Sequence, residues 1–199
     1  MSGDLWVARH GETAWSRTGR HTGRTDVPLT PAGRREARAL GRALAGRRFA
    51  LVLSSPLSRA WETCRLAGYS GVARTSEDLL EWDYGAVEGR TVAEVRSERP
   101  GWSLWAGPVP RGETLAEVAA RARRVIARSV AARGDVLLFA HGHILRVLAA
   151  CWLGLPPRAA RQLALSTASL GVLGEDADTR VMRSWNVGCR PPARPRKAG

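Results

Sequence analysis

The stretch Leu5-Trp6-Val7-Ala8-Arg9-His10-Gly11 decides how the chain is read. A short apolar run that stops at Arg-His-Gly predicts a buried strand over 5–8 ending in a functional loop. The pattern recurs twice. Phe49 to Leu53 closes in Ser54-Ser55-Pro56-Leu57-Ser58-Arg59, and Asp135 to Ala140 closes in His141-Gly142-His143. Helical periodicity fills the intervals. Thr30 caps a helix that opens at Pro31 and carries Ala37, Leu40 and Leu44 toward Gly46. Further helices are expected over 57–66, 91–96, 114–132 and from His143 through Cys151. The longest sets Leu115, Val118, Ala122, Val125, Ile126 and Val130 on one face, with Arg121, Arg123, Arg124 and Arg128 on a solvated opposite face. Two late alternating segments, 169–173 and 180–185, read as strands at a sheet edge. The expected architecture is therefore α/β. It is a single domain over 1–189, with a mostly parallel central sheet, helices on both faces and an antiparallel edge strand. Residues 190–199 have little to bury and are expected to form a disordered, basic, Pro-rich tail.

Composition sets the outer limits. The 199 residues are 44% hydrophobic and 25% charged, an ordinary globular balance that excludes disorder as the main state. The net charge of +13 raises nucleic-acid binding as a function class, but the arginines are dispersed and no binding module is recognisable. No nucleic-acid partner is expected. Cys64, Cys151 and Cys189 form neither a CxxC pair nor a Cys/His cluster, which argues against a disulfide framework or a zinc site and favours a reducing, cytoplasmic setting. Arg9 follows the start too closely for a signal peptide, and no apolar run approaches about 18 residues, so no membrane association is expected.

The chemistry follows from position. In open α/β sheets ligands bind in the crevice at the carboxyl ends of strands, so the three loops converge on one pocket holding His10, His141, Arg9 and Arg59. The planar fork of Arg matches phosphate oxygens, and neutral His is a competent nucleophile or proton carrier. The first choice of ligand is a phosphoryl group. Arg59 also opens a helix N-terminus, a favourable place for an anion.

These residues carry a resemblance. Arg9-His10-Gly11-Glu12-Thr13 resembles the Arg-His-Gly signature of the histidine phosphatase superfamily, in the branch that contains phosphoglycerate mutases and many small-molecule phosphatases. Thr22-Gly23, Asp26-Val27-Pro28-Leu29-Thr30-Pro31-Ala32-Gly33, Ser54 to Ala60, Glu81-Trp82-Asp83-Tyr84-Gly85 with Glu88-Gly89, and Ala140-His141-Gly142 follow in the family's order. The resemblance implies a phosphohistidine on His10, with Arg9, Arg59 and His141 holding the phosphoryl oxygens. It selects Glu81 as general acid and base where residue type alone leaves Asp78, Asp83 and Glu88 open. Glu81 must then begin protonated, which implies an acid-leaning pH optimum. No metal and no cofactor are expected, since arginine and imidazole neutralise the charge.

Gly11 is expected to let backbone approach the ligand. Ser16, Thr22, Gly23, Tyr84, Gly142 and His143 are the candidate substrate-binding residues, Tyr84 and His143 with a structural role equally open. His21 is expected to be solvated, and the tryptophans to pack. The short stretch from Glu81 to His141 leaves no room for the long insertion of the familiar mutases, and the pair Trp15-Ser16 stands where they typically carry Trp-Asn. Both features resemble the sugar-phosphate and broad-specificity acid phosphatases, which include sedoheptulose bisphosphatase-like enzymes. The expected activity is hydrolysis of small phosphomonoesters, sugar phosphates or bisphosphates, with phosphoglycerate mutase as the alternative. The partner is a small phosphorylated substrate, and a homodimer is left open.

Overall fold

The computed structural model describes residues 3–107 and 109–189. The proposed tail over 190–199 lies outside them. Strand β1 (Leu5–Arg9) is followed by helices α1 (Ala14–Thr18) and α2 (Pro31–Ala43), strand β2 (Leu51–Ser54), helix α3 (Ser58–Leu66) and strand β3 (Ala73–Thr75). Helices α4 (Val92–Glu98) and α5 (Leu115–Ala131), strand β4 (Val136–Ala140), helix α6 (Gly142–Trp152) and strands β5 (Ser169–Asp176) and β6 (Thr179–Gly188) complete the order.

The sheet runs β3-β2-β4-β1-β5-β6. Its first four strands are mutually parallel, while β5 runs antiparallel to β1 and pairs antiparallel with β6. Every residue of β4 is buried because helices cover both faces. Val136, Leu138 and Ala140 meet the apolar faces of α5 and α6, whereas Leu137 and Phe139 point to Leu40, Leu44 and Cys64 of the α2–α3 layer. Helix α2 begins where Thr30 accepts the Gly33 amide and Pro31 takes the first turn. Helix α5 begins in a Thr114–Glu117 capping box.

The parallel β1–β4 and β4–β2 registers bring the three loops together. Arg9 lies opposite Ala140 and Ser54 opposite Phe139, so His10, Ser55 and His141 emerge side by side. The His10 amide bonds Ala140 O at 3.0 Å, and the Ser55 amide bonds Phe139 O at 2.9 Å.

Two elements have no counterpart in the periodicity. Strand β3 is three residues of an edge, Ala-Arg-Thr, with only β2 to pair with and no buried position to mark it. Helix α1 is five residues held by a Thr13–Ser16 capping box that buries nothing.

Candidate active site

His10 is 3% exposed, and its Nδ1 lies 2.7 Å from Gly11 O. A carbonyl only accepts, so Nδ1 carries the proton and Nε2 keeps its lone pair. Burial, then the charges of Arg59 and Arg9, hold the His10 pKa well below the usual histidine range, so the ring is neutral. Gly11 has a different task from the one expected of it. A Cβ there would sit 2.4 Å from Gly33 O, and one on Gly33 would sit 2.1 Å from Glu12 O. The glycines let the nucleophile loop lie against the start of α2, and Gly11 does not line the cavity.

Arg9 bonds Leu165 O through Nη1, while its Nε is buried and has no hydrogen-bond partner. Its guanidinium lies beside Gly142, where a Cβ would come within 3.4 Å of it. Such an orphaned, charged donor in a cavity wall fits an anionic oxygen. Arg59 is arranged differently. It is fully buried, and it donates to Thr22 O, Gly23 O, Thr25 O and, through Nε at 3.1 Å, to His141 Nδ1. Accepting that bond leaves the His141 proton on Nε2, which donates to Ser55 Oγ at 2.7 Å. The His10 and His141 rings are 5.2 Å apart, and burial and Arg59 also keep His141 neutral. Arg59 and His141 thus stand behind the cavity wall rather than on it. The N-terminus of α3 is not an open anion site either, because Asp26 accepts from the Ser58 amide and hydroxyl.

Glu81 is 4% exposed and accepts backbone amides from Trp82, His143 and Ile144 at 2.9, 3.0 and 2.9 Å. It caps α6, whose N-cap residue His141 makes no side-chain cap bond. Burial alone pushes the Glu81 pKa up, but hydrogen bonding from the His143 side chain and backbone amide holds it well below the usual carboxylate range. Free Glu81 is ionised, so the expectation that it begins protonated does not describe the ligand-free site. The Tyr84 hydroxyl, kept neutral chiefly by burial, is hydrogen-bonded to His143 Nδ1 at 2.5 Å.

A cavity of about 380 Å³ opens over His10, Arg9 and Glu81. Ser16, Thr22, Tyr84, Gly142 and His143 line it as expected; Gly23 does not. A Gly23 Cβ would meet Glu88 Oε2 at 2.5 Å and Trp82 O at 2.6 Å, so that glycine lets the loop pass under the site. Ser16 Oγ is engaged in the α1 cap, accepting from Thr13 N and donating to Thr13 O.

Sequence reasoning missed part of the wall. His21 is buried rather than solvated, donates to Arg90 O, and packs edge-on against Tyr84 and Trp102. Arg146 also lines the cavity, together with Trp102 and Trp105, which the sequence placed near the mouth and expected to pack. Arg121 leaves the solvated face assigned to it. It forms a two-point ion pair with Glu113 at 2.7 and 2.8 Å and donates to Asp78 O and Leu80 O, fixing the segment that delivers Glu81. The signal that was available is the isolated Glu113 just before the Thr114 cap. Among the described residues no three His, Cys, Asp or Glu side chains are grouped to hold a metal, and no helix is long and apolar enough to cross a membrane.

A buried, neutral histidine at the end of a parallel strand, flanked by arginine and a second histidine, defines a phosphoryl-handling α/β protein. The chain matches the model of the histidine phosphatase superfamily (branch 1) over residues 5–188 and belongs to that family. It is 39% identical over 182 residues to an acid phosphatase of Mycobacterium tuberculosis, covering 89% of each chain. It is 35% identical to a sedoheptulose 1,7-bisphosphatase of Saccharomyces cerevisiae, covering 75% of this chain and 67% of that one. It is 30% identical to a Yersinia enterocolitica protein named as a probable phosphoglycerate mutase, covering 92% and 90%. Among solved structures, a mycobacterial glucosyl-3-phosphoglycerate phosphatase complexed with VO3 superposes with a TM-score of 0.84 at 31% identity, covering 94% of this chain and all of the other.

Proposed function

We propose that residues 1–189 form one catalytic domain that hydrolyses small phosphomonoesters through a phosphohistidine on His10. The observation that carries this reading is the His10 tautomer, with Nδ1–H pinned to Gly11 O and a neutral Nε2 available beside an orphaned Arg9 donor. Nε2 attacks phosphorus in line and the bond to the leaving oxygen breaks. Arg9 takes a phosphoryl oxygen directly. Arg59 contributes its charge and holds His141, whose ring packs 5.2 Å from that of His10.

Glu81 lies in the same cavity and starts as a carboxylate. A phosphoryl dianion beside it favours its protonation, so Glu81 takes up a proton as substrate binds. It passes that proton to the leaving oxygen, then accepts one from the water that attacks the phosphohistidine. Inorganic phosphate leaves and His10 returns to the neutral state. Relatives named as acid phosphatase, sedoheptulose bisphosphatase and glucosyl-3-phosphoglycerate phosphatase support hydrolysis, and sugar phosphates are the proposed substrates. Among the described residues, the stretch between Glu81 and His141 holds one 3-10 turn (Gly85–Val87), α4, a Trp/Pro loop and α5, with nothing further to shield the phosphoenzyme from water. A cytoplasmic setting belongs to the same reading and is supported by three free cysteines.

The test is a screen with an aryl phosphate, sugar phosphates and 3-phosphoglycerate in excess EDTA. Release of inorganic phosphate that disappears in His10→Ala is expected. Isomerisation of phosphoglycerate without phosphate release would establish the mutase instead.

A further inference from the structure

The cavity is larger than a phosphoryl group needs, and its charge is unbalanced. Glu81 is the only carboxylate among the residues that line it, against Arg9, Arg20, Arg96 and Arg146. Arg20 is neutralised by a two-point ion pair with Glu94 at 3.1 Å. Arg9 faces the phosphoryl end. Arg96 and Arg146 form no ion pair among the described residues, yet both are held in place. Arg146 donates Nε to Ala160 O and Nη2 to Arg161 O, both at 3.0 Å, and its guanidinium lies 4.8 Å over the Trp105 ring. Arg96 donates Nε to Trp102 O at 2.9 Å.

Burial lowers the Arg146 pKa, which is the physical signature of a cation kept partly out of water without a counter-ion. Arg146 stands one helical turn beyond His143 on α6, so it shares the face that carries the candidate site but lies a turn away from it. Trp105 walls this end, and an apolar wall strengthens any ion pair formed there. The backbone bonds leave Arg146 Nη1 and both terminal nitrogens of Arg96 free to meet an anion.

We propose that the substrate carries a second anionic group, a carboxylate or a second phosphoryl, bound by Arg146 and Arg96 while the reacting phosphoryl group lies at His10. The proposal rests on the phosphatase reading and narrows it. Sugar bisphosphates and phosphorylated hydroxy acids fit, and phosphomonoesters with a neutral tail leave Arg146 unpaired.

Binding to His10→Ala, measured by calorimetry, tests this without turnover. Fructose 1,6-bisphosphate is compared with fructose 6-phosphate, and 3-phosphoglycerate with glycerol 3-phosphate, which separates a second phosphoryl from a carboxylate. At least one doubly anionic compound should bind about tenfold tighter than its partner, the effect of one charge-assisted pair. Adding Arg146→Met should remove that preference, Arg146→Lys should keep part of it, and Arg96→Ala, at an exposed position, should weaken it without unfolding risk. Equal affinity within both pairs, or a preference that survives Arg146→Met with Arg96→Ala, overturns the proposal. Wild-type hydrolysis of an aryl phosphate is read separately, so failure of the subsite and failure of the phosphatase reading give different results.

Discussion

Replacing Arg121 by Met should destabilise the protein and weaken catalysis together, because one side chain ties both flanks of Glu81. Its guanidinium meets Glu113 at 2.7 and 2.8 Å and the carbonyls of Asp78 and Leu80 at 2.9 and 2.8 Å. Glu113 in turn accepts the Asp83 amide through Oε2 and Trp82 Nε1 through its carbonyl. Methionine fills much of the volume but leaves Glu113 and two carbonyls short of donors. Breaking a buried pair from one side costs about 3–5 kcal/mol. Glu113 keeps Arg24 at 3.4 Å and 17% side-chain exposure, so the lower end applies, about 3 kcal/mol. For a domain of this size that is a fall of about 6–12 °C in the unfolding midpoint, read by scanning calorimetry. Arg121→Lys keeps the charge, cannot reach Glu113 and both carbonyls at once, and should recover only part of the loss. Because the 78–83 segment carries the proposed acid, kcat/KM for alkyl phosphates should fall more than for aryl phosphates. A midpoint change under about 2 °C in Arg121→Met would refute the reasoning.

Other expectations are simpler to check. His10, His141 and Glu81 all have folded pKa values below their ordinary ones, so the folded state binds fewer protons than the unfolded chain. Their contribution to stability is complete above about pH 6.5, is lost as pH falls through the histidine range, and is lost further below the carboxylate range; a flat unfolding midpoint between pH 7.5 and about pH 4 contradicts the assigned charge states. In Gly11→Ala the new Cβ meets Gly33 O at 2.4 Å, so the nucleophile loop must shift. Stability should drop by about 1–3 kcal/mol and activity with it, and an unchanged kcat would count against the role given to this contact. Glu81→Gln should reduce kcat for alkyl phosphates by about 10²–10⁴, with a smaller loss for aryl phosphates whose leaving groups need no proton.

The strands that carry the site were legible in the sequence because each is a continuous apolar run punctuated by His, Ser or Gly. Val136–Ala140 is buried at every position and Leu5–Arg9 at all but the half-buried Trp6 and Arg9, and that is the environment that writes an uninterrupted run. Thr30 announced its helix through local cap chemistry, which depends only on neighbours in the chain. What the sequence concealed is long-range. Arg121 has the spacing of a surface arginine, and only the fold turns it toward Glu113 and the Glu81 segment. His21 sits in a loop of Gly and Arg, and its burial comes from Tyr84 and Trp102, far along the chain. The ionised state of Glu81 was equally hidden, since the amides that hold it belong mostly to the first turn of α6.

The central claim is that His10 Nε2 takes the phosphoryl group. Mixing the protein with an aryl phosphate, quenching in alkali during turnover and mapping the peptides by mass spectrometry tests it most directly. One acid-labile phosphoryl group is expected on the peptide containing Arg9, His10 and Gly11, absent from His10→Ala. Turnover without a phosphoenzyme in His10→Ala, or an adduct on His141 or His143 in its place, contradicts it.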